Sequence, residues 1–235
     1  MSLDEKAWQA VRSRIALAAR HAGRDPATVG LLAVSKAQPV AAVRAAYALG
    51  QRAFGENYVQ EASSKAGLLP ELPNIEWHLI GPLQSNKTRL AAALFAWVQS
   101  IDRLKVAERL SAARDARSAP LNVCVQVNIS GEQSKSGIAP DDALALAQAV
   151  AALPRLALRG FMGIAEETAD VERQRRQFRT LRELFDAARA GGLALDTLSM
   201  GMSADLEAAV AEGATLVRIG TALFGARAST TEHAT

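Results

Sequence analysis

Short apolar runs and longer amphipathic stretches take turns along almost the whole chain. The runs occupy residues 29–35, 52–54, 75–80, 97–101, 122–129, 156–161, 197–200 and 216–219, and their length and β-branched, apolar make-up predict strands, several of them buried on both faces. Between them, residues 40–49, 58–68, 85–94, 104–117, 141–152, 171–190 and 204–212 repeat apolar positions at helical spacing. A further helix is expected ahead of the first strand, over residues 3–22, where Leu3, Ala7, Val11, Ile15 and Ala18 share a face. Gly50, Gly191 and Gly213 stand where helices should end, and Pro140 stands where one should begin. Eight strands alternating strictly with helices imply parallel pairing through right-handed crossovers, which leaves an α/β fold of two kinds: an open doubly wound sheet or a closed (β/α)8 TIM barrel. The count of eight favours the barrel. With no composition break and no linker beyond loop length, residues 1–227 read as one domain and residues 228–235 as a disordered tail.

Composition narrows the partners. A chain of 235 residues suits a single barrel. Its net charge of +3 is a small basic excess spread along the chain, which does not mark a nucleic-acid binder. A single cysteine, Cys124, permits no internal disulfide and fits a cytoplasmic setting. The start Met1-Ser2-Leu3-Asp4-Glu5-Lys6 lacks the apolar stretch of a secretory signal, and no run approaches membrane-spanning length, so no membrane partner is expected. The three histidines, His21, His78 and His233, have no paired metal spacing, and no metal site is expected either.

The chemistry gathers at the carboxyl ends of the expected strands, which in a barrel line one mouth. Lys36 closes the first apolar run, and an ammonium there asks for an anion, a cavity or a covalent ligand; the plain alternative is a lysine snorkelling from a strand end. Ser199-Met200-Gly201-Met202-Ser203-Ala204-Asp205 leads from the seventh strand into a helix, and Gly220-Thr221 follows the eighth. Free amides and small residues at those places suit a phosphate, although Ser203 as a helix cap and Gly220 as a tight turn would explain them equally well. A lysine amine opposite a phosphate pocket points to a ligand with both an aldehyde and a phosphate, since the amine can form a Schiff base. Pyridoxal 5′-phosphate has both. Arg218 is then placed to face the pyridine nitrogen, where it can only donate, leaving the ring a poor electron sink. The competing role for Arg218 is an ion pair with a helix carboxylate.

Several segments then combine into a specific likeness. Ala33-Val34-Ser35-Lys36, Phe54-Gly55-Glu56-Asn57-Tyr58-Val59-Gln60-Glu61, Trp77-His78-Leu79-Ile80-Gly81-Pro82-Leu83-Gln84-Ser85-Asn86-Lys87, Gln126-Val127-Asn128-Ile129, Ser134-Lys135-Ser136-Gly137, Gly160-Phe161-Met162, Leu198-Ser199-Met200-Gly201-Met202-Ser203-Ala204-Asp205 and Val217-Arg218-Ile219-Gly220-Thr221 run in order through nearly the whole chain. Together they resemble the YggS/PROSC family of pyridoxal phosphate homeostasis proteins. The resemblance implies a single barrel of the alanine racemase type with pyridoxal 5′-phosphate as a Schiff base on Lys36. It implies Ser199, Gly201, Ser203, Gly220 and Thr221 for the phosphate, Arg218 for the pyridine nitrogen, and Asn57, His78 and Met162 for the cofactor's surroundings. It also implies a carrier that influences vitamin B6 and amino-acid balance without established turnover, exchanging its cargo with pyridoxal-phosphate-dependent apoenzymes or other B6 vitamers.

Rival readings remain beside this one. In the related racemases the second base is a tyrosine from a separate β-domain of a partner chain, whereas this sequence has only Tyr47 and Tyr58. A racemase or decarboxylase of the same fold is the alternative function. His78 on its apolar strand reads equally well as a satisfied core residue. Lys87 and Lys135 read as solvated surface lysines before they read as collectors of phosphate. The run Arg173-Gln174-Arg175-Arg176-Gln177-Phe178-Arg179 keeps Val171, Phe178, Leu181 and Phe185 at helical spacing, which predicts an amphipathic helix and not a nucleic-acid surface.

Overall fold

Strands buried on both faces need cover on both, and the chain supplies it by curling its sheet into a ring. The computed structural model describes residues 5–132 and 135–225. Its strands are β1 (Gly30–Val34), β2 (Ala53–Glu56), β3 (Glu76–Leu79), β4 (Trp97–Ile101), β5 (Leu121–Val127), β6 (Leu156–Gly163), β7 (Thr197–Ser199) and β8 (Leu216–Ile219). All pair in parallel in chain order, and β8 closes onto β1 through Leu32 opposite Arg218 and Ala33 opposite Ile219. The expected closed (β/α)8 barrel is the fold observed.

The helices are α1 (Glu5–His21), α2 (Val40–Ala48), α3 (Val59–Gly67), α4 (Thr88–Leu94), α5 (Leu104–Ala113), α6 (Pro140–Ala151), α7 (Val171–Ala190), α8 (Leu206–Ala211) and α9 (Thr221–Phe224). One strand face looks outward at them: Phe54, Leu79, Val98, Val125, Phe161, Val217 and Ile219 join Val43, Ala62, Leu110, Ala147 and Phe178 in a single apolar layer. The alternate positions, including Leu32, His78, Gln99, Met162, Ser199 and Arg218, turn into the ring and are buried. Helix α1 buries Trp8, Val11, Ile15, Ala18 and Ala19 and lies against α8 and α9. Helix α7 buries Phe178, Leu181 and Phe185, as its spacing predicts, while Arg175 and Arg179 reach Glu212 at 2.8 and 3.0 Å.

The boundaries that differ do so for local reasons. Helix α5 stops at Ala113 and not near residue 117, because Arg114 turns extended and its guanidinium bonds the carbonyls of Ala119, Ala92 and Phe95, drawing the chain toward β5. The helix expected from residue 85 opens with a 3-10 turn, Ser85–Lys87, before α4. Strand β2 runs on to Glu56, and the short α9 was not expected. At the end of α7 the left-handed turn falls on Gly192 (φ 92°) and not on Gly191 (φ −77°). The expected start of the first helix at Leu3, the loop residue Ser134 and the tail over residues 228–235 lie outside the described residues.

Candidate functional site

Lys36 stands two residues past the end of β1, in the loop that Pro39 ends by capping α2. Leu32 and Val34 point into the ring, and Lys36, in the turn just beyond them, is half-buried. The backbone beside it is unusual. Ala37 holds φ at 56°, a left-handed conformation that a residue with a Cβ adopts at a cost.

Behind this loop lies a buried ion cluster. Lys65 of α3 donates from Nζ to the Ser35 carbonyl at 2.6 Å and to Oε1 of both Glu56 and Glu61 at 2.8 Å. Ser35 Oγ donates to Glu56 Oε1 at 2.6 Å, and the Ala37 N–H donates to Glu61 Oε1 at 2.6 Å. Burial pushes the Glu56 carboxyl above its ordinary range, against the pull of Lys65 and Ser35. Glu56 was visible in the sequence only as part of a strand end, and Lys65 was missed. Its signal was there: Lys65 falls in the buried stripe of α3 with Val59 and Ala62, where a lysine requires an acid.

Across the mouth, the loops after β7 and β8 come together. Ser203 Oγ accepts the Ala222 N–H at 3.3 Å, and the Arg218 N–H reaches the Gly201 carbonyl at 2.9 Å. Gly201 has φ 91°, and a Cβ there would stand 2.5 Å from Cβ of Ala209. Gly220 packs so that a Cβ would sit 3.3 Å from the Val34 carbonyl, which brings these turns beside the end of β1 and hence beside Lys36. Thr221 is exposed at the start of α9. From outside, Arg14 of α1 donates to the Ser203 carbonyl at 3.2 Å and pairs with Glu207, a buttress that the sequence did not reveal.

Beneath the mouth, Arg218 is 4% exposed and donates to the Ser199 carbonyl at 2.6 Å, to Ser199 Oγ at 2.8 Å and to the Gly163 carbonyl at 2.8 Å. These are carbonyl and hydroxyl oxygens and not a helix carboxylate. Burial lowers its pKa to about 10, with Asp205 opposing, and the guanidinium remains charged at neutral pH. Ser199 donates in turn to Gln99, so its hydroxyl is turned into the ring and away from the loops. His78 stacks on Trp97 with ring centroids 5.2 Å apart and lies beside Glu76, and both neighbours are the first residues of their strands. Its ring thus leans toward the amino-terminal end of the barrel, while Nδ1 bonds Gln99 at 2.9 Å. Met162 is fully buried on β6. Asn57 follows β2, its backbone so close to Gly81 that a Cβ there would lie 2.3 Å from the Asn57 carbonyl oxygen.

Other candidates fall outside this constellation. Tyr47 donates to the Pro73 carbonyl at 2.7 Å, and Tyr58 is 64% exposed. Lys135 bonds the Ala165 carbonyl at 3.2 Å and pairs with Glu132 at 2.6 Å, while Lys87 sits half-buried in its 3-10 turn. Among the described residues no three His, Cys, Asp or Glu side chains gather to hold a metal, and no helix is long and apolar enough to cross a membrane. The groups at the mouth are thus an amine, a hydroxyl, small-residue turns and a buried guanidinium, a set that fits an aldehyde-bearing phosphate.

Comparison with known proteins shows the family and the fold. The family model described as alanine racemase, N-terminal domain, matches residues 7–228. A pyridoxal phosphate homeostasis protein from Pseudomonas aeruginosa is 63% identical over 217 residues, covering 92% of this chain and 93% of its own length. The chain belongs to this pyridoxal phosphate homeostasis family, on the alanine racemase N-terminal fold. A family member of known structure, PipY of Synechococcus elongatus PCC7942 with pyridoxal phosphate bound, is 40% identical, with a TM-score of 0.79 over 90% of this chain and 100% of that one. Alanine racemase from Corynebacterium glutamicum, at 19% identity and a TM-score of 0.70 over 96% of this chain and 64% of its own, shares the fold. The likeness read from the motifs is borne out at the level of the family.

Proposed function

We propose that this chain holds pyridoxal 5′-phosphate at the carboxyl mouth of its barrel, on Lys36, and serves as a carrier in vitamin B6 and amino-acid homeostasis within the cytoplasm. The observation that carries the reading is the meeting of the two small-residue loops, tied by Ser203 to Ala222, next to the end of β1 that presents Lys36. When bound, the cofactor supplies an aldehyde that condenses with a primary amine and releases water. Lys36 offers that amine. Gly201, Ser203, Gly220 and Thr221 take the phosphate through backbone amides and hydroxyls. Arg218 would hold the pyridine nitrogen, to which it could only donate. Ser199 acts one step removed by accepting from Arg218 directly, and His78 stands behind it through Gln99, while Asn57 and Met162 belong to the cofactor's surroundings.

The positions of the two tyrosines support a carrier over a catalyst. Two-base racemisation needs a second base facing Lys36, and Tyr47 is committed to Pro73 while Tyr58 points into solvent. Reversible exchange at one amine suits transfer to pyridoxal-phosphate-dependent apoenzymes. The test is an absorption spectrum of the purified protein with added cofactor, before and after borohydride, with mass mapping of the modified residue and an assay against a panel of amino acids. A reduced adduct on Lys36 that disappears in Lys36→Ala, with negligible loss of substrate chirality or release of carbon dioxide, is the expected result. Sustained turnover dependent on Lys36 would establish a racemase or decarboxylase instead.

A further inference from the structure

Two peptide groups flank the Lys36 Cα, and one ion cluster grips both. The carbonyl of the preceding peptide belongs to Ser35 and accepts from Lys65 Nζ at 2.6 Å. The N–H of the following peptide belongs to Ala37 and donates to Glu61 Oε1 at 2.6 Å. The two anchors are themselves joined at 2.8 Å and lie four residues apart on α3. Glu56, fully buried on β2, ties Lys65 at 2.8 Å and the Ser35 hydroxyl at 2.6 Å, so the cluster is fastened to the sheet as well as to the helix.

We propose that Glu61 and Lys65 are positioning residues that clamp the backbone on both sides of Lys36 and so fix the direction from which its amine meets the aldehyde. The inference rests on the reading that Lys36 carries the cofactor. Two observations support it. First, Ala37 sits in the left-handed region, φ 56°, inside a turn closed by the Gln38 N–H on the Ser35 carbonyl at 3.0 Å, and the Glu61 hydrogen bond fastens that turn to α3. Second, Lys65 and Glu56 are buried between α3 and β2, where burying two charges offsets much of their attraction, so the pair is better explained by the geometry it fixes than by the stability it adds. With both peptides held, the Cα of Lys36 has a fixed place and direction, and an amine held near its reacting geometry meets the aldehyde at lower entropic cost.

Glu61→Ala and Glu61→Gln separate the clamp from general stability, because Gln keeps an acceptor oxygen for the Ala37 N–H. Glu61 is partly exposed, so neither variant leaves a fully buried cavity. Two measurements are made well below each variant's melting midpoint. Amide hydrogen exchange of cofactor-free protein reads the Ala37 N–H directly, and the rate of covalent capture of pyridoxal 5′-phosphate is read by borohydride trapping and peptide mapping. Losing one charge-assisted hydrogen bond predicts about tenfold faster exchange at Ala37 and about tenfold slower capture in Glu61→Ala, with Glu61→Gln within about threefold of the unaltered chain. Adding Ala37→Gly to Glu61→Ala should recover part of the capture rate, since glycine adopts the left-handed turn freely. Unchanged exchange and capture in Glu61→Ala, or equal slowing in both Glu61 variants, would overturn the clamp. An adduct mapped to another lysine in the unaltered chain would overturn the reading of Lys36, while the exchange measurement would still decide the clamp.

Discussion

Ser199 Oγ lies 2.6 Å from Oε1 of Gln99, a residue one hundred positions earlier in the chain. That contact orders the protons along a chain of four residues in the barrel interior. Arg218 can only donate, and it donates to Ser199 Oγ at 2.8 Å, so the hydroxyl proton must go to Gln99. Gln99 therefore turns its oxygen to Ser199 and its amide nitrogen to His78 Nδ1, 2.9 Å away. His78 Nδ1 is then an acceptor, and its proton sits on Nε2, toward Glu76.

Nitrogen-15 chemical shifts should show His78 as the Nε2-protonated tautomer. Burial lowers its pKa, with Glu76 opposing, so the neutral ring should persist at a pH where an exposed histidine is already charged. The linked stability is fully present above the unfolded histidine's value near 6.5 and falls as the pH drops through the lower folded value. An Nδ1-protonated ring, or titration at the ordinary value, would contradict the proton order.

Ser199→Ala should destabilise the protein by about 1–3 kcal/mol, because Gln99 Oε1 and one Arg218 donor lose a partner in a site that water does not enter. Denaturant unfolding gives the number. Gln99→Leu in the same background should add less than it does alone, since the two residues share one chain of hydrogen bonds.

Gly201→Ala forces a Cβ to within 2.5 Å of Ala209 at a residue with φ 91°. The expected cost is about 1–3 kcal/mol of stability, together with weaker binding of pyridoxal 5′-phosphate measured by titration. Gly67→Ala is the control: nothing lies within 4 Å of its would-be Cβ at the end of α3, and that variant should be neutral or slightly stabilising.

Glu212 predicts an acid-sensitive contact between α7 and the end of α8. Burial pushes its carboxyl up, but the hydrogen bonds from Arg179 and Arg175 together outweigh this and hold it below the usual range. A depressed carboxyl contributes stability that is complete above its unfolded value and vanishes as the pH falls through the folded one. Glu212→Gln should thus lower stability by roughly 1 kcal/mol at neutral pH, the arginines being well solvated. The difference in melting midpoint from the unaltered chain should close as the pH drops below the ordinary carboxylate range.

The eight strands were legible because each is a short apolar run whose core position does not depend on its partners. Trp97–Ile101 and Leu216–Ile219 were legible to the residue, and the mouth residues followed from strand ends. Lys65 was not, because a lysine between Ser64 and Ala66 looks like any solvated helix residue until α3 is laid on β2. His78 was placed on the right strand, but its turn toward Trp97 and Glu76 is set by neighbours on two strands.

Periodicity and residue type alone determined that this chain makes alternating strands and helices, with a count of eight strands that favours a barrel over an open sheet, and that an amine and small-residue turns fall at the strand ends. Local pattern suffices for that, since burial on both faces and helical stripes are properties of short segments. Only the tertiary structure decided which buried charges pair, which way Ser199 and Gln99 pass their protons, and that α3 grips the backbone around Lys36. Those contacts join residues from 4 to 100 positions apart. They depend on distances of a few tenths of an ångström, which no spacing along the chain encodes.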